Sequence, residues 1–166
     1  MTAIFTIGHS RHAADHFVAL LRAHAIKRLV DVRSQPASKW APHFSRTALA
    51  QMLAAHDVDY VFLGDALGGR PRGEFYREDG SVDYARRAAA PDFAIGIQQL
   101  VALSRDRRTT ILCAEEDPAR CHRRLLVTPA LLRAGASVVH ARGDGSLEPE
   151  PEGSSVVMQQ LDLFGR

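Results

Sequence analysis

Two cysteines, Cys113 and Cys121, are too few for a disulfide framework. Both are therefore expected as reduced thiols in a cytoplasmic protein. No stretch approaches the ~18 consecutive apolar residues of a membrane span. The first residues hold no basic region followed by an apolar run, so no secretory leader is expected either. Excess charge is also lacking. The net charge of +2 excludes a protein that coats DNA by bulk charge and leaves local arginine clusters to bind phosphates. No internal repeat is visible. What remains is a chain of 166 residues, 46% of them hydrophobic, enough for one domain with a proper core.

The apolar runs alternate between two periods. Ala3 to Ile7, Arg28 to Val32, Val58 to Leu63, Thr109 to Ala114 and Ala136 to His140 read as five strands. Between them, Phe17, Leu20, Leu21 and Ala25 recur at helical spacing, as do Leu49, Met52, Leu53 and His56 behind a capping Ser45. Phe93, Ile97, Leu100 and Val101 do so behind Pro91. Asp117-Pro118 is a helix start, and Pro129 must kink or restart that helix. Such alternation predicts an α/β fold, a Rossmann-like three-layer sandwich around a five-stranded, mainly parallel sheet of order 3-2-1-4-5. The expected organisation is one α/β domain over 1–142, a flexible linker over 143–155 and a C-terminal docking tail over 156–166.

In such sheets the ligand crevice lies at the carboxyl ends of the strands. The polar residues collect there: Gly8-His9-Ser10-Arg11 after the first strand, Asp31-Val32-Arg33-Ser34 after the second, Gly68-Gly69-Arg70 beyond the third, and Cys113 to Asp117 after the fourth, followed by Cys121-His122-Arg123-Arg124. Asp31, Glu115, His9 and His122 are the residues expected to perform acid/base catalysis. Asp31 has an alternative as scaffolding paired with Arg33 or Arg123. Ser10, Arg33, Ser38, Gly69, Arg70 and Arg123 are the expected substrate contacts, with Arg123 the foremost anion binder. Gly8-His9-Ser10 resembles an anion cradle at a helix start, although Ser10 serves equally well as that helix's own cap. The stretch from Pro36 to Phe44 reads as a lid in which Trp40 or Phe44 stacks on a base or packs on its own scaffold.

The blocks TIGHS (Thr6 to Ser10), LVDVRSQPAS (Leu29 to Ser38), LGDALGGRP (Leu63 to Pro71), LCAEEDP (Leu112 to Pro118) and CHRR (Cys121 to Arg124) resemble the signature of domain-of-unknown-function family 488, over roughly residues 3 to 145. The resemblance implies a single α/β domain and brings no activity with it. LVDVR, followed later by a strand ending in Cys, also locally resembles the rhodanese sulfurtransferases. There the nucleophilic cysteine lies in a loop of backbone N–H donors, which would make Cys113 the nucleophile. The loop here reads AEEDPA, and its carboxylates are expected to raise the Cys113 pKa. Cys121, beside His122 and Arg123, has the better expected electrostatics and is the other candidate nucleophile. No cofactor is expected. A zinc or other divalent ion on Cys113, Cys121, His122 and a fourth ligand is an open alternative, although their spacing is not that of a structural zinc pair.

The tail carries a second resemblance. Gln160-Leu161-Asp162-Leu163-Phe164 is similar to the peptides by which bacterial replication and repair proteins dock on the DNA sliding clamp. Gln160, Leu161, Leu163 and Phe164 would make the contact; the same segment could instead pack on its own domain. Residues 143 to 155 contain three Gly, two Pro, three Ser and four acidic residues, a linker composition. The whole is read as an enzyme of hydrolysis or group transfer on a DNA- or nucleotide-like anionic substrate, recruited to the clamp. The rivals are a non-catalytic nucleic-acid- or nucleotide-binding module and a thiol-dependent sulfurtransferase using Cys113 or Cys121. The oligomeric state is not legible.

Overall fold

The computed structural model describes residues 2–153. Five strands form where the apolar runs predict them: β1 (Ala3–Gly8), β2 (Arg28–Asp31), β3 (Asp59–Phe62), β4 (Thr109–Cys113) and β5 (Ser137–Ala141). All pair in parallel. Side chains alternate between the two faces of the sheet. On one face Phe5, Ile7, Leu29 and Leu112 pack against Phe17 and Leu21 of α1 (Ala14–Ala23) and Leu49 and Leu53 of α2 (Arg46–Ala54). The irregular stretch that follows holds the short helices α3 (Gly64–Leu67) and α4 (Tyr84–Ala88). On the opposite face Ile4, Val30, Ile111 and Val138 pack against Phe93, Ile97 and Leu100 of α5 (Pro91–Leu103) and Leu131 of α6 (Thr128–Arg133). This is the expected three-layer α/β arrangement. Among the described residues no helix is long and apolar enough to cross a membrane.

The sheet departs from the expected order and strand number. Its order is β3-β2-β4-β1-β5-β6, with β4 inserted between β2 and β1. The five residues of β4 are all buried, as are five of the six of β1. A strand covered on both faces suits the middle of a parallel sheet. Periodicity cannot rank two such runs, because pairing is a long-range choice. The order has a consequence for the site. The chain leaves β1 towards β2 and leaves β4 in the opposite direction, towards β5, so the switch point lies between the carboxyl ends of β1 and β4.

The sixth strand, β6 (Leu147–Pro149), lies within the expected linker and pairs antiparallel with β5. Asp144-Gly145-Ser146 makes the turn, with Gly145 at φ +89° and the Asp144 carboxylate accepting both the N–H and the hydroxyl of Ser146. Glu150 is then buried, accepting from His140 Nε2 and Arg124 Nε at 2.8 Å each. A linker composition therefore conceals a hairpin anchored by one paired carboxylate, and the folded part runs past 142. The tail residues Gln160, Leu161, Leu163 and Phe164 lie outside the described residues.

Helix order after β4 follows from Asp117, Cys121 and Pro129. Asp117 caps a 3₁₀ turn (Pro118–Arg120) by accepting the Ala119 N–H at 2.9 Å. The chain is extended at Cys121, then winds as a π-helical turn over Arg123–Val127. Pro129 has no N–H to donate to the Leu125 carbonyl, and just before it both the N–H and the hydroxyl of Thr128, the latter at 2.7 Å, donate to the Arg123 carbonyl. Cys121 and His122, ahead of this turn, lie over Cys113 at the end of β4.

Candidate active site

The loop after β1 does not form the expected anion cradle. The His9 N–H donates to the Cys113 carbonyl (3.0 Å) and the Ser10 N–H to the Ala114 carbonyl (2.9 Å), so both amides prolong the β1–β4 ladder. Ser10 sits at φ +46°, and α1 opens only at Ala14. Gly8 is required by close approach: a Cβ there would lie 1.7 Å from the Glu115 carbonyl oxygen. The backbone of residues 115 and 116 thus lies directly on β1.

Asp31 is fully buried beneath the crevice. Its carboxylate accepts from Arg33 Nε (2.9 Å), Arg33 Nη2 (2.7 Å), the Arg33 N–H (3.1 Å) and the Tyr60 hydroxyl (2.7 Å). Burial and the hydrogen bond to Asp31 push the Tyr60 phenol far above its ordinary range. Arg33, held by this fork, donates from Nη1 to His9 Nε2 at 3.2 Å, while His9 Nδ1–H donates to the Ser10 carbonyl at 2.8 Å. Burial lowers the His9 pKa to about 4, so its ring is neutral at physiological pH with both nitrogens engaged. The set Asp31–Arg33–His9 is a packed polar scaffold, and of the three, His9 and Arg33 reach the cavity wall.

The thiols meet at the switch point. Cys121 Sγ lies 2.7 Å from Cys113 Sγ, and His122 Nδ1 lies 3.3 Å from Cys113 Sγ. His122 Nε2–H donates to the Val32 carbonyl at 3.0 Å. A carbonyl can only accept, so this bond assigns the proton to Nε2 and turns the Nδ1 lone pair towards Cys113. Gly69 allows the ring to sit there, since a Cβ on it would lie 2.7 Å from His122 Cγ. The Cys113 pKa is lowered, first by the hydrogen bond from Cys121 and then, against desolvation, by Arg123 and the N–H groups of Ala114 and Glu115. The Cys121 pKa is raised by that same hydrogen bond and by burial.

This reverses the expected electrostatics of the two thiols. Two of the three carboxylates of the AEED loop are engaged away from Cys113. Glu116 pairs with Arg142 Nη2 (2.8 Å) and accepts the Gly143 N–H (3.0 Å), which holds its pKa down to about 2. Asp117 caps its turn, and Glu115 is exposed. The loop's backbone N–H groups and Arg123 act on the Cys113 thiol in the opposite sense to its carboxylates and lower its pKa.

Around the sulfurs is a cavity of about 390 Å³. Glu115, Ser38, Gly69, Arg70, His122 and both cysteines line it, as does Ser34, expected at the crevice but given no role there; Gln35, Tyr84 and Arg120 also line it and were not among the expected site residues. Arg120 could have been found, since it directly precedes Cys121; nothing near Tyr84 signals its place. Arg123 is corrected. It is fully buried, and its guanidinium donates to Thr6 Oγ1 (3.2 Å), the Glu115 carbonyl and the Glu116 carbonyl (2.6 Å). Its charge supports the loop from below and does not reach the cavity wall. Ser10 likewise does not line the cavity. In the expected lid, Ser38 Oγ accepts the Ala41 N–H (3.0 Å). Phe44 is buried against Phe17 and His9, leaving no face for a base. Trp40 is exposed with the Arg11 guanidinium over its ring.

The fold and site define a class: an α/β domain with a thiol–imidazole pair at the switch point of a parallel sheet. Residues 13–129 match the model of the domain of unknown function DUF488, and the chain belongs to that family. The match excludes the Thr6 to Ser10 block and includes both cysteines. No curated protein and no solved structure matches the chain.

Replacing Asp31 by Ala strands the buried Arg33 charge and removes the partner of Tyr60. Breaking a buried pair in this way costs about 3–5 kcal/mol. Urea denaturation of the variant should show that loss; a change under about 1 kcal/mol would mean the fork is not structural.

Proposed function

We propose that the protein is a thiol-dependent transferase in which Cys113 is the nucleophile, His122 its base and Cys121 a hydrogen-bond donor to the thiolate. The observation that carries the reading is the Cys113 Sγ to His122 Nδ1 distance of 3.3 Å, with His122 oriented from behind by Val32. A nucleophile, a base and a group that orients the base form the arrangement that activates a weak nucleophile. Arg33, Arg70 and Arg120 on the cavity wall favour an anionic substrate. The acid/base reading loses support because Asp31 and His9 have their hydrogen-bonding atoms engaged.

The transferred group proposed is a sulfane sulfur. Cys113 gives its proton to His122 Nδ1. The thiolate attacks the outer sulfur of an anionic donor such as thiosulfate. The donor's S–S bond breaks, sulfite leaves with the electron pair, and Cys113 becomes a persulfide. An acceptor nucleophile then takes the terminal sulfur and returns the thiolate, so no external oxidant or reductant is needed.

With thiosulfate as donor and cyanide as acceptor, the wild type should form thiocyanate. Cys113→Ser should reduce the rate to background, and His122→Gln should lower it by at least about 100-fold, the usual contribution of a positioned base. Thiocyanate formation by Cys113→Ser at the wild-type rate would refute the assignment, and its absence from the wild type would refute sulfane-sulfur transfer.

We also propose an address for this activity. The motif Gln160 to Phe164 supports docking on the bacterial DNA sliding clamp, which would place the enzyme near replication or repair. The full chain should bind purified clamp in a pulldown, and the double variant Leu163→Ala, Phe164→Ala should not. Equal capture of both, or capture of neither, would remove the clamp.

A further inference from the structure

Three metal-binding atoms converge at the base of the cavity. Cys113 Sγ, Cys121 Sγ and His122 Nδ1 lie within 4.8 Å of one another. The individual separations are 2.7 Å between the sulfurs, 3.3 Å from Cys113 to His122 and 3.9 Å from Cys121 to His122. Zinc holds sulfur at about 2.3 Å and imidazole nitrogen at about 2.0–2.1 Å, so ligand atoms of one tetrahedron lie about 3.5–3.8 Å apart. Both sulfur–nitrogen separations are already near that spacing. Only the two sulfurs must open, by about 1 Å, which small side-chain rotations supply.

The surroundings also suit an ion. His122 Nε2–H is fixed on the Val32 carbonyl at 3.0 Å, the outer hydrogen bond that orients a ligating imidazole. Two thiolates also offset a divalent charge. Two sulfurs and one imidazole select a soft or borderline ion over magnesium or calcium. Both cysteines and His122 line the cavity, so the remaining coordination position faces it. Three protein ligands and one open position define an exchangeable centre, unlike the closed four-ligand set of a structural zinc.

We propose that Cys113, Cys121 and His122 bind Zn²⁺ with one open coordination position, and that the bound ion caps the reactive thiol. Metal binding stands on the geometry alone; the capping role rests on the reading of Cys113 as nucleophile. Zinc withdraws charge from a bound thiolate sulfur, so the ion lowers the nucleophilicity of Cys113 towards an electrophile. Loading and unloading the ion would switch the site between a silent and a reactive state.

The test uses the untagged, full-length, reduced protein stripped of metal, with Co²⁺ as the spectroscopic probe. One equivalent should produce a thiolate-to-cobalt charge-transfer band and tetrahedral d–d bands, and Zn²⁺ should displace them. Cys121→Ser and His122→Ala, with circular dichroism confirming their metal-free fold, should each weaken Zn²⁺ binding by at least about tenfold in competition with a chromophoric chelator. Absence of the charge-transfer band in the wild type, or wild-type affinity in Cys121→Ser, would overturn the site. Iodoacetamide modification is measured in parallel, with and without Zn²⁺. A cobalt band on a protein whose metal-free thiol is inert keeps the metal site and overturns the nucleophile. A reactive thiol without the band does the reverse. Alkylation that proceeds unchanged in saturating Zn²⁺ overturns the capping role.

Discussion

Arg123 has no contact with solvent, and its guanidinium donates to the carbonyls of Glu115 and Glu116 and to the Thr6 hydroxyl. These three bonds fix the path of the chain as it leaves β4. The N–H groups of Ala114 and Glu115 belong to the peptide units whose carbonyls accept from the His9 and Ser10 N–H groups, and they and the Arg123 charge lower the Cys113 pKa, while the Glu116 carboxylate is drawn off to Arg142. The network extends beneath the sheet. The Thr6 hydroxyl, which accepts from Arg123, donates to His140 Nδ1 (2.8 Å), and His140 Nε2–H donates to Glu150. Every donor in this chain points the same way, from a cation at the site to a carboxylate just past β6. Buried polar groups held in this manner favour a single arrangement because any other would leave one of them unpaired.

The position of β4 supplies the other half of the account. A neighbour on each side, β2 and β1, places Cys113 between the ends of two further strands. Val32, just beyond β2, provides the carbonyl that orients His122, and Gly8, at the end of β1, admits the 115–116 backbone. In the expected order β4 would have lain beyond β1 from β2, away from the Val32 carbonyl. Strand order, the glycine and the imidazole tautomer are therefore parts of one geometry.

Much of this was legible in the sequence because it is local. Apolar runs separated by helical periods identify the strands and the layers, and strand ends identify the crevice. Asp31 and Arg33, two residues apart at a strand end, share a face, so their pairing is legible as an alternative to catalysis. Three features depend on long-range contacts and were not legible. Strand order was one, since β1 and β4 are equivalent as buried runs. The second was the orientation of the AEED loop, where the residue types suggest a negative field and the backbone orientation produces the opposite one at the sulfur. The third was the burial of Arg123, Phe44 and Glu150, whose types and neighbours suggested an anion contact in the crevice, a lid and a linker. In each case a partner distant in sequence decided the outcome.

The central claim is that the environment of β4's end makes Cys113, and not Cys121, the reactive thiol. The most direct measurement is peptide mapping of the metal-free, reduced protein after brief exposure to less than one equivalent of iodoacetamide. The account predicts that the label appears on Cys113 first, with Cys121 still protonated and unmodified. Labelling of Cys121 first, or of both at equal rates, would contradict it.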